Sequence, residues 1–201
     1  MLALLFVGCG GNKTTQVTET EQVKEVAQKE ETPEQVVSAT LGALRKYDMQ
    51  TARMHFPEWQ FEREFDVENR ELKDLMRTIL KDMKYSILGS SVEGDSAVVT
   101  VKITNTELGS VAKEWFRKLR YSQMASVISG SDPREPKELI DLLKEECRNN
   151  RGLGHSATVD IDLIKVSNSW NIDIYSPDLL MAIWGGADGE IRGLIEHFKG
   201  E

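Results

Sequence analysis

The chain has 201 residues, with 25 Lys or Arg against 33 Asp or Glu, which gives a formal net charge of −8 at pH 7. This length suits one domain or a domain with a tail, and the acidic balance argues against a nucleic-acid-binding protein, which needs a basic surface. The two cysteines exclude a disulfide-rich scaffold, and no apolar run approaches the ~18 residues of a membrane-spanning helix.

The chain begins with an apolar stretch that ends in Phe6-Val7-Gly8-Cys9. This stretch resembles the lipobox of bacterial lipoproteins, in which apolar and small residues precede a cysteine. The resemblance implies that residues 1–9 are a signal-peptide remnant with the lipobox cysteine. Acyl chains such as palmitate on Cys9 would then anchor the protein at the extracytoplasmic face of the cell membrane. The alternative is a short apolar segment that packs on the domain, with Cys9 an ordinary buried thiol.

Residues 10–31 are rich in Thr, Gln, Glu and Lys and contain no aromatic residue. Such a composition buries too little apolar surface to offset the entropy lost on ordering. We therefore predict a flexible tether between the anchor and a single domain over residues 32–201. A docked extra helix is the alternative for this segment.

The domain begins with a strong helix signal, because Thr32 can cap, Pro33 suits the first helical turn and Gln35 completes a capping box. Apolar residues at helical spacing continue to Tyr47. The same spacing predicts further helices over residues 49–56 and 68–83, with Pro57 to Phe61 as a loop between them.

The apolar residues then recur at every second position, which is the spacing of a β-strand. Strands are predicted over residues 85–92 and 97–104 around the turn Glu93-Gly94-Asp95, and over 157–166 and 170–175 around Ser167-Asn168-Ser169. Helices are predicted between the two hairpins, over about 108–129 and from Ser131-Asp132-Pro133 to Cys147, and short helices close the chain. The pattern indicates an α+β fold, with N-terminal helices packed on an antiparallel sheet and a helical insertion between the hairpins.

Three segments carry a family resemblance: Pro33-Glu34-Gln35-Val36-Val37, Ala97 to Asn105, and Trp170-Asn171-Ile172-Asp173 with the helix that follows it to Gly186. Together they resemble uncharacterised bacterial lipoproteins with a domain similar to nuclear transport factor two, also called cystatin-like. The resemblance implies helices against a strongly curved sheet, forming a cone with a cavity. It implies no activity, because this fold hosts enzymes, binders and scaffolds.

Residues with catalytic or metal-binding chemistry are scattered. His55, His155 and His197 lack ligand spacing, so neither a metal nor another cofactor is expected. Cys147 stands beside acidic residues in a helix and is interpreted as a core thiol rather than a nucleophile.

Asp160 and Asp162 share one face of a predicted strand, and Asp173 and Tyr175 share a face of the next. Carboxylates and a phenol lining a cone could perform acid/base chemistry, as in the ketosteroid isomerases of this fold. The alternation of apolar residues favours a solvated Asp face, with a partner-binding role as a further alternative.

The remaining candidate site residues are aromatic. A small apolar ligand could contact them in a cavity, or an envelope protein could bind them as an interface. Core packing is the default for Trp115 and Trp170, whereas Trp59 suits the rim of a cavity. The full candidate set is Trp59, Trp115, Trp170, Trp184 and Tyr175.

These observations predict a membrane-anchored extracytoplasmic lipoprotein that binds a ligand or a protein partner and is not an enzyme. The alternatives are an enzyme that uses the cone cavity for proton transfer and a structural envelope protein.

Overall fold

The structure, a computed structural model, describes residues 31–115, 117, 121, 136–151 and 154–199, and the statements below concern those residues. The expectations for Cys9, for most of the tether and for the helix start at Ser131-Asp132-Pro133 lie outside them.

Helices occupy both ends of the described chain and the region between the two hairpins. Residues 109–115 are helical as well. The helices are α1 (Pro33–Lys46), α2 (Met49–Arg53), α3 (Glu58–Phe65), α4 (Arg70–Leu80), α5 (Pro136–Asn149), α6 (Pro177–Ile183) and α7 (Asp188–Lys199).

The predicted capping box at the start of α1 is confirmed. The Gln35 amide donates to the Thr32 hydroxyl at 3.3 Å, and the Thr32 amide donates to the Gln35 side chain at 2.9 Å. The Ser176 hydroxyl caps α6 by accepting a hydrogen bond from the Leu179 amide at 3.1 Å. These side chains satisfy amides that the first helical turn leaves without partners.

The loop predicted from Pro57 to Phe61 is wrong, because α3 begins at Glu58. The buried face of this helix carries two polar residues, Gln60 and Glu64, which directly precede Phe61 and Phe65. An apolar stripe was therefore not visible in the sequence, although the spacing of the buried positions is helical.

The structure has four strands: β1 (Lys84–Glu93), β2 (Ser96–Thr106), β3 (Gly154–Val166) and β4 (Ser169–Ile172). They form one curved, open sheet in the antiparallel order β1-β2-β3-β4. Strand β2 pairs with β3 along its whole length, from Ser96 against Ile164 to Thr106 against Gly154. The two predicted hairpins and the helical insertion between them are confirmed, and the fold is α+β. The predicted extent of the last strand, over 170–175, is wrong, because it ends at Ile172 and so Asp173 and Tyr175 lie beyond it.

One face of the sheet is apolar and covered by helices α1, α4 and α6. It presents buried residues such as Val99, Val101 and Ile161. The other face is polar, and there the Thr100 hydroxyl donates to Asp160 at 2.6 Å on the exposed surface. The solvated position predicted for Asp160 and Asp162 is confirmed, since both are exposed.

Within the residues that the structure describes, no helix has the length and apolar composition needed to span a bilayer.

Candidate functional site

A half-open groove of about 590 Å³ lies where the C-terminal end of α1 meets α2, α3 and α4. Its lining combines aromatic and apolar side chains with three cations and one carboxylate. The lining residues are Tyr47, Met49, Gln50, Arg53, Phe61, Phe65, Asp66, Val67, Lys73 and Arg77.

A tight turn between α1 and α2 builds one rim of the groove. Tyr47 ends α1 in the left-handed conformation, with φ of 57°, and its amide donates to the Leu44 carbonyl at 2.9 Å. Asp48 then caps α2 by accepting from the Thr51 amide at 3.1 Å. The two helices therefore meet within two residues, which fixes Tyr47 and Met49 beside each other at the rim.

Interlocked aromatic rings form the floor of the groove. The rings of Phe61 and Phe65 lie 5.4 Å apart, and Phe56 packs edge-on against both. On its far side Phe65 contacts Trp184, at 5.4 Å, which is among the largest fully buried side chains. Rings held from several directions keep their rotamers, so this floor exists without a ligand.

Two arginines stack on aromatic rings of the lining. The Arg77 guanidinium lies 4.8 Å from the centre of the Tyr47 ring and forms an ion pair of 3.2 Å with Asp74. Arg53 lies 5.9 Å from the centre of the Phe61 ring and forms an ion pair of 2.6 Å with Glu62. Cation–π contacts and ion pairs together hold both guanidinium groups in place beside the groove.

Lys73 and Asp66 are the other charged residues of the lining. In the part of the chain that the structure describes, the Lys73 ammonium has neither an ion pair nor a hydrogen bond. Burial raises the pKa of the nearby Tyr47 phenol, and Arg77 partly opposes this shift. The Tyr47 hydroxyl is therefore neutral at ordinary pH and can donate a hydrogen bond.

The aromatic candidates from the sequence lie apart from this groove lining. Trp115, Trp170, Trp184 and Tyr175 are buried, with at most 6% of each residue exposed. Trp59 is 57% exposed and carries Arg63 over its ring at 5.3 Å. Their role in binding a ligand stays a prediction.

Tyr175 is locked into the core below α3. Its ring stacks on Phe56 with centroids 3.7 Å apart, and the Gln60 side chain bonds both its backbone N–H, at 2.9 Å, and its carbonyl, at 3.1 Å. Its hydroxyl is buried without a hydrogen-bond partner among the described residues, and burial raises its pKa well above the usual value. Asp173 is exposed to solvent, so the two side chains do not form an acid/base pair.

The core position predicted for Cys147 is confirmed. The residue is 1% exposed, and burial raises the pKa of its thiol to about 12. A thiol that stays protonated is a poor nucleophile. Among the described residues there is no group of three or more His, Cys, Asp or Glu side chains that could hold a metal ion.

His155 lies beside Glu107, with its Nδ1 atom 3.4 Å from Oε2. The other carboxylate oxygen of Glu107 accepts from the Ser110 amide at 3.2 Å and so caps the helix over residues 109–115. Gly185 packs against the same turn, and its carbonyl accepts from the Leu108 amide at 2.7 Å. These contacts tie three chain segments together.

The groove residues were not identified from the sequence. Lys73 and Arg77 are one turn apart on α4, a spacing that is visible in the sequence but common on solvated helices. Only the tertiary arrangement brings Tyr47 and Phe61 opposite them.

Comparisons with known proteins give little beyond this geometry. No protein-family profile and no curated protein matches the chain. One solved structure, a candidate lipoprotein named YcdA from Bacillus subtilis subsp. subtilis str. 168, is 14% identical and aligns over 79% of this chain with a TM-score of 0.36. This chain covers 44% of that protein's chain, which is less than half its length. A likeness of this degree establishes neither a common fold nor a common function.

Proposed function

We propose that this protein is a lipid-anchored, extracytoplasmic binding protein that takes a small ligand in the groove between α1, α2, α3 and α4. The observation that carries the proposal is the half-open groove itself, about 590 Å³ in volume, with a floor of interlocked phenylalanine rings. Ligand pockets are usually clefts of roughly 300–1,000 Å³ with apolar walls and a few polar groups.

The groove is supported as a binding site by its rigidity. Its floor is fixed by the Phe61–Phe65 contact and by the packing of Phe65 on Trp184. Its rim is fixed by the short turn after Tyr47. A preformed site loses little conformational entropy on binding, which favours affinity.

Anchoring through Cys9 is supported by the sequence Phe6-Val7-Gly8-Cys9 and by the polar composition of residues 10–31. Expression of the full chain in a bacterial host with radioactive palmitate should label the protein, and Cys9→Ala should abolish the label. Cys147→Ala is the matched control and should keep it. Label that persists in Cys9→Ala would overturn the anchoring.

Ligand binding is tested with a neutral fluorescent probe, phenylnaphthylamine, whose emission rises in apolar sites. The full chain should bind it, and Met49→Trp should abolish binding by filling the rim of the groove. Met54→Trp is the matched control, because Met54 is 69% exposed and is not among the lining residues. The proposal fails if Met49→Trp binds the probe unchanged, or if the wild type binds neither this probe nor its anionic counterpart, anilinonaphthalene sulfonate.

A further inference from the structure

We propose that the groove selects an organic anion, namely a small molecule that carries one carboxylate, sulfonate or phosphate on an apolar body. This inference rests on the proposed binding function and adds the charge and the orientation of the ligand.

The lining of the groove contains more cations than carboxylates. The whole chain carries a net charge of −8, yet the described residues that line the groove include three cations, Arg53, Lys73 and Arg77, and one carboxylate, Asp66. Carboxylates outside the lining pair with both arginines, namely Glu58 and Glu62 with Arg53 and Asp74 with Arg77. The attraction for an anion therefore comes mainly from Lys73, whose charge has no partner among the described residues.

The two arginines of the lining keep N–H groups that are available for a ligand. Arg77 donates from Nη1 to Asp74 at 3.2 Å, which uses one of the five N–H groups of a guanidinium. Arg53 reaches Glu58 and Glu62 through the same nitrogen, Nη2. The carboxylates that pair with these arginines are not lining residues, so donors remain for a ligand inside the groove.

Lys73 is the third cation of the lining and lies on α4. It lies one helical turn before Arg77, so the two side chains emerge from the same face of α4. Its ammonium has no ion pair or hydrogen bond among the residues that the structure describes. An unpaired lysine next to a guanidinium that still has N–H groups available can bind a carboxylate, sulfonate or phosphate group.

The aromatic residues complete the site by fixing the orientation. The apolar body of the ligand would lie on the rings of Phe61 and Phe65, and its acidic group would point to Lys73 and Arg77 at the α4 rim. The neutral hydroxyl of Tyr47, whose ring packs under Arg77, offers a further donor at that rim.

The test uses two fluorescent probes with the same ring system, neutral phenylnaphthylamine and its anionic counterpart, anilinonaphthalene sulfonate. In the full chain at low salt, the sulfonate should bind more tightly than the neutral probe. Lys73→Gln should weaken the sulfonate about three- to tenfold and leave the neutral probe within about twofold. Asp66→Asn should strengthen the sulfonate about twofold, because it removes the one carboxylate of the lining.

The matched control is Lys102→Gln, an exposed lysine on the sheet, whose variant should bind both probes like the wild type. Added salt should weaken the sulfonate alone. Circular dichroism of each variant confirms that probe binding does not report unfolding.

The outcomes separate this inference from the proposed function. If both probes bind equally and Lys73→Gln changes neither, the groove binds ligands but the anion preference is wrong. If neither probe binds, the proposed function itself fails. If the soluble sulfonate does not bind but phosphatidylglycerol vesicles bind in a Lys73-dependent way, the site contacts a lipid surface and the proposal of a free small anion is overturned.

Discussion

The carboxylate of Glu64 lies 3.4 Å from the Nε atom of Arg192, and this ion pair joins α3 to α7. Glu64 is 1% exposed, and its other oxygen accepts from Arg63 at 2.7 Å. Neither Glu64 Oε2 nor Arg192 Nε has a hydrogen-bond partner among the described residues. The pair is therefore held by charge rather than by hydrogen-bond geometry.

Arg192→Ala should destabilise the full chain by ~2 kcal/mol, because it leaves a buried carboxylate with a single partner. The cost stays below the ~3–5 kcal/mol typical of broken buried pairs, since the Arg192 side chain is 34% exposed. Urea unfolding measures this free energy. Replacement of both partners, Glu64→Leu with Arg192→Met, should recover the part of the loss that comes from Glu64, whereas Asp188 still loses its ion pair with Arg192. A double variant less stable than Arg192→Ala would contradict the explanation from charge.

Two aspartates should respond to pH in opposite directions. Burial raises the pKa of Asp188, with Arg192 opposing the shift, whereas hydrogen bonds from Thr51 lower the pKa of Asp48. The stability linked to Asp188 is present below its unfolded pKa, near 3.8, and is lost as pH rises through the raised folded value. The stability linked to Asp48 is present above that unfolded value and is lost as pH falls through the lowered folded value.

Urea unfolding of Asp188→Asn and Asp48→Asn across the acidic range measures both effects. Relative to the wild type, Asp188→Asn should gain stability as the pH rises above about 3.8. Asp48→Asn should lose stability relative to the wild type as the pH rises toward about 3.8 from below. Parallel trends for the two variants would show that the environments of these carboxylates are misassigned.

The thiol of Cys147 should be inert while the protein is folded. Its pKa of about 12 and its burial leave almost no accessible thiolate at mildly alkaline pH. In the Cys9→Ala chain, Ellman's reagent should react slowly under native conditions and rapidly in urea. Fast reaction of the native chain would place Cys147 at an accessible site instead.

Gly185→Ala should destabilise the protein by several kcal/mol, on the order of 2–4. Gly185 has φ of 58°, and an added Cβ would lie 1.9 Å from the Thr106 carbonyl oxygen. Gly193→Ala is the control, because nothing lies within 4 Å of its Cβ position on the exposed side of α7. That change should be neutral or stabilise the helix by up to ~1 kcal/mol, and similar losses in both variants would contradict the steric explanation.

Local signals in the sequence predicted much of the fold. The capping box at Thr32 and the alternation around Gly94 depend on neighbouring residues, and both elements formed where expected. Helix α3 was missed because Gln60 and Glu64 face inward, where Gln60 bonds the backbone of Tyr175, 115 residues away. Such a partner is not visible from local periodicity.

The candidate site was harder to predict than the fold. The tryptophans were candidates for ligand binding because of their large aromatic side chains, but Trp115 and Trp184 are packed in the core. The groove depends on four helices meeting, with Tyr47 held at one rim by the end of α1 and Lys73 at another by α4. Neither residue is unusual by itself, and only their convergence suggests binding.

The pairing of Thr106 with Gly154 has a consequence for how this fold can vary. The chain leaves the sheet at one residue and re-enters it at that residue's direct neighbour on the next strand. The register of β2 and β3 is therefore independent of how many residues lie between them. We expect relatives of this protein to differ in the length of the connection between these strands while the register of β2 and β3 stays the same.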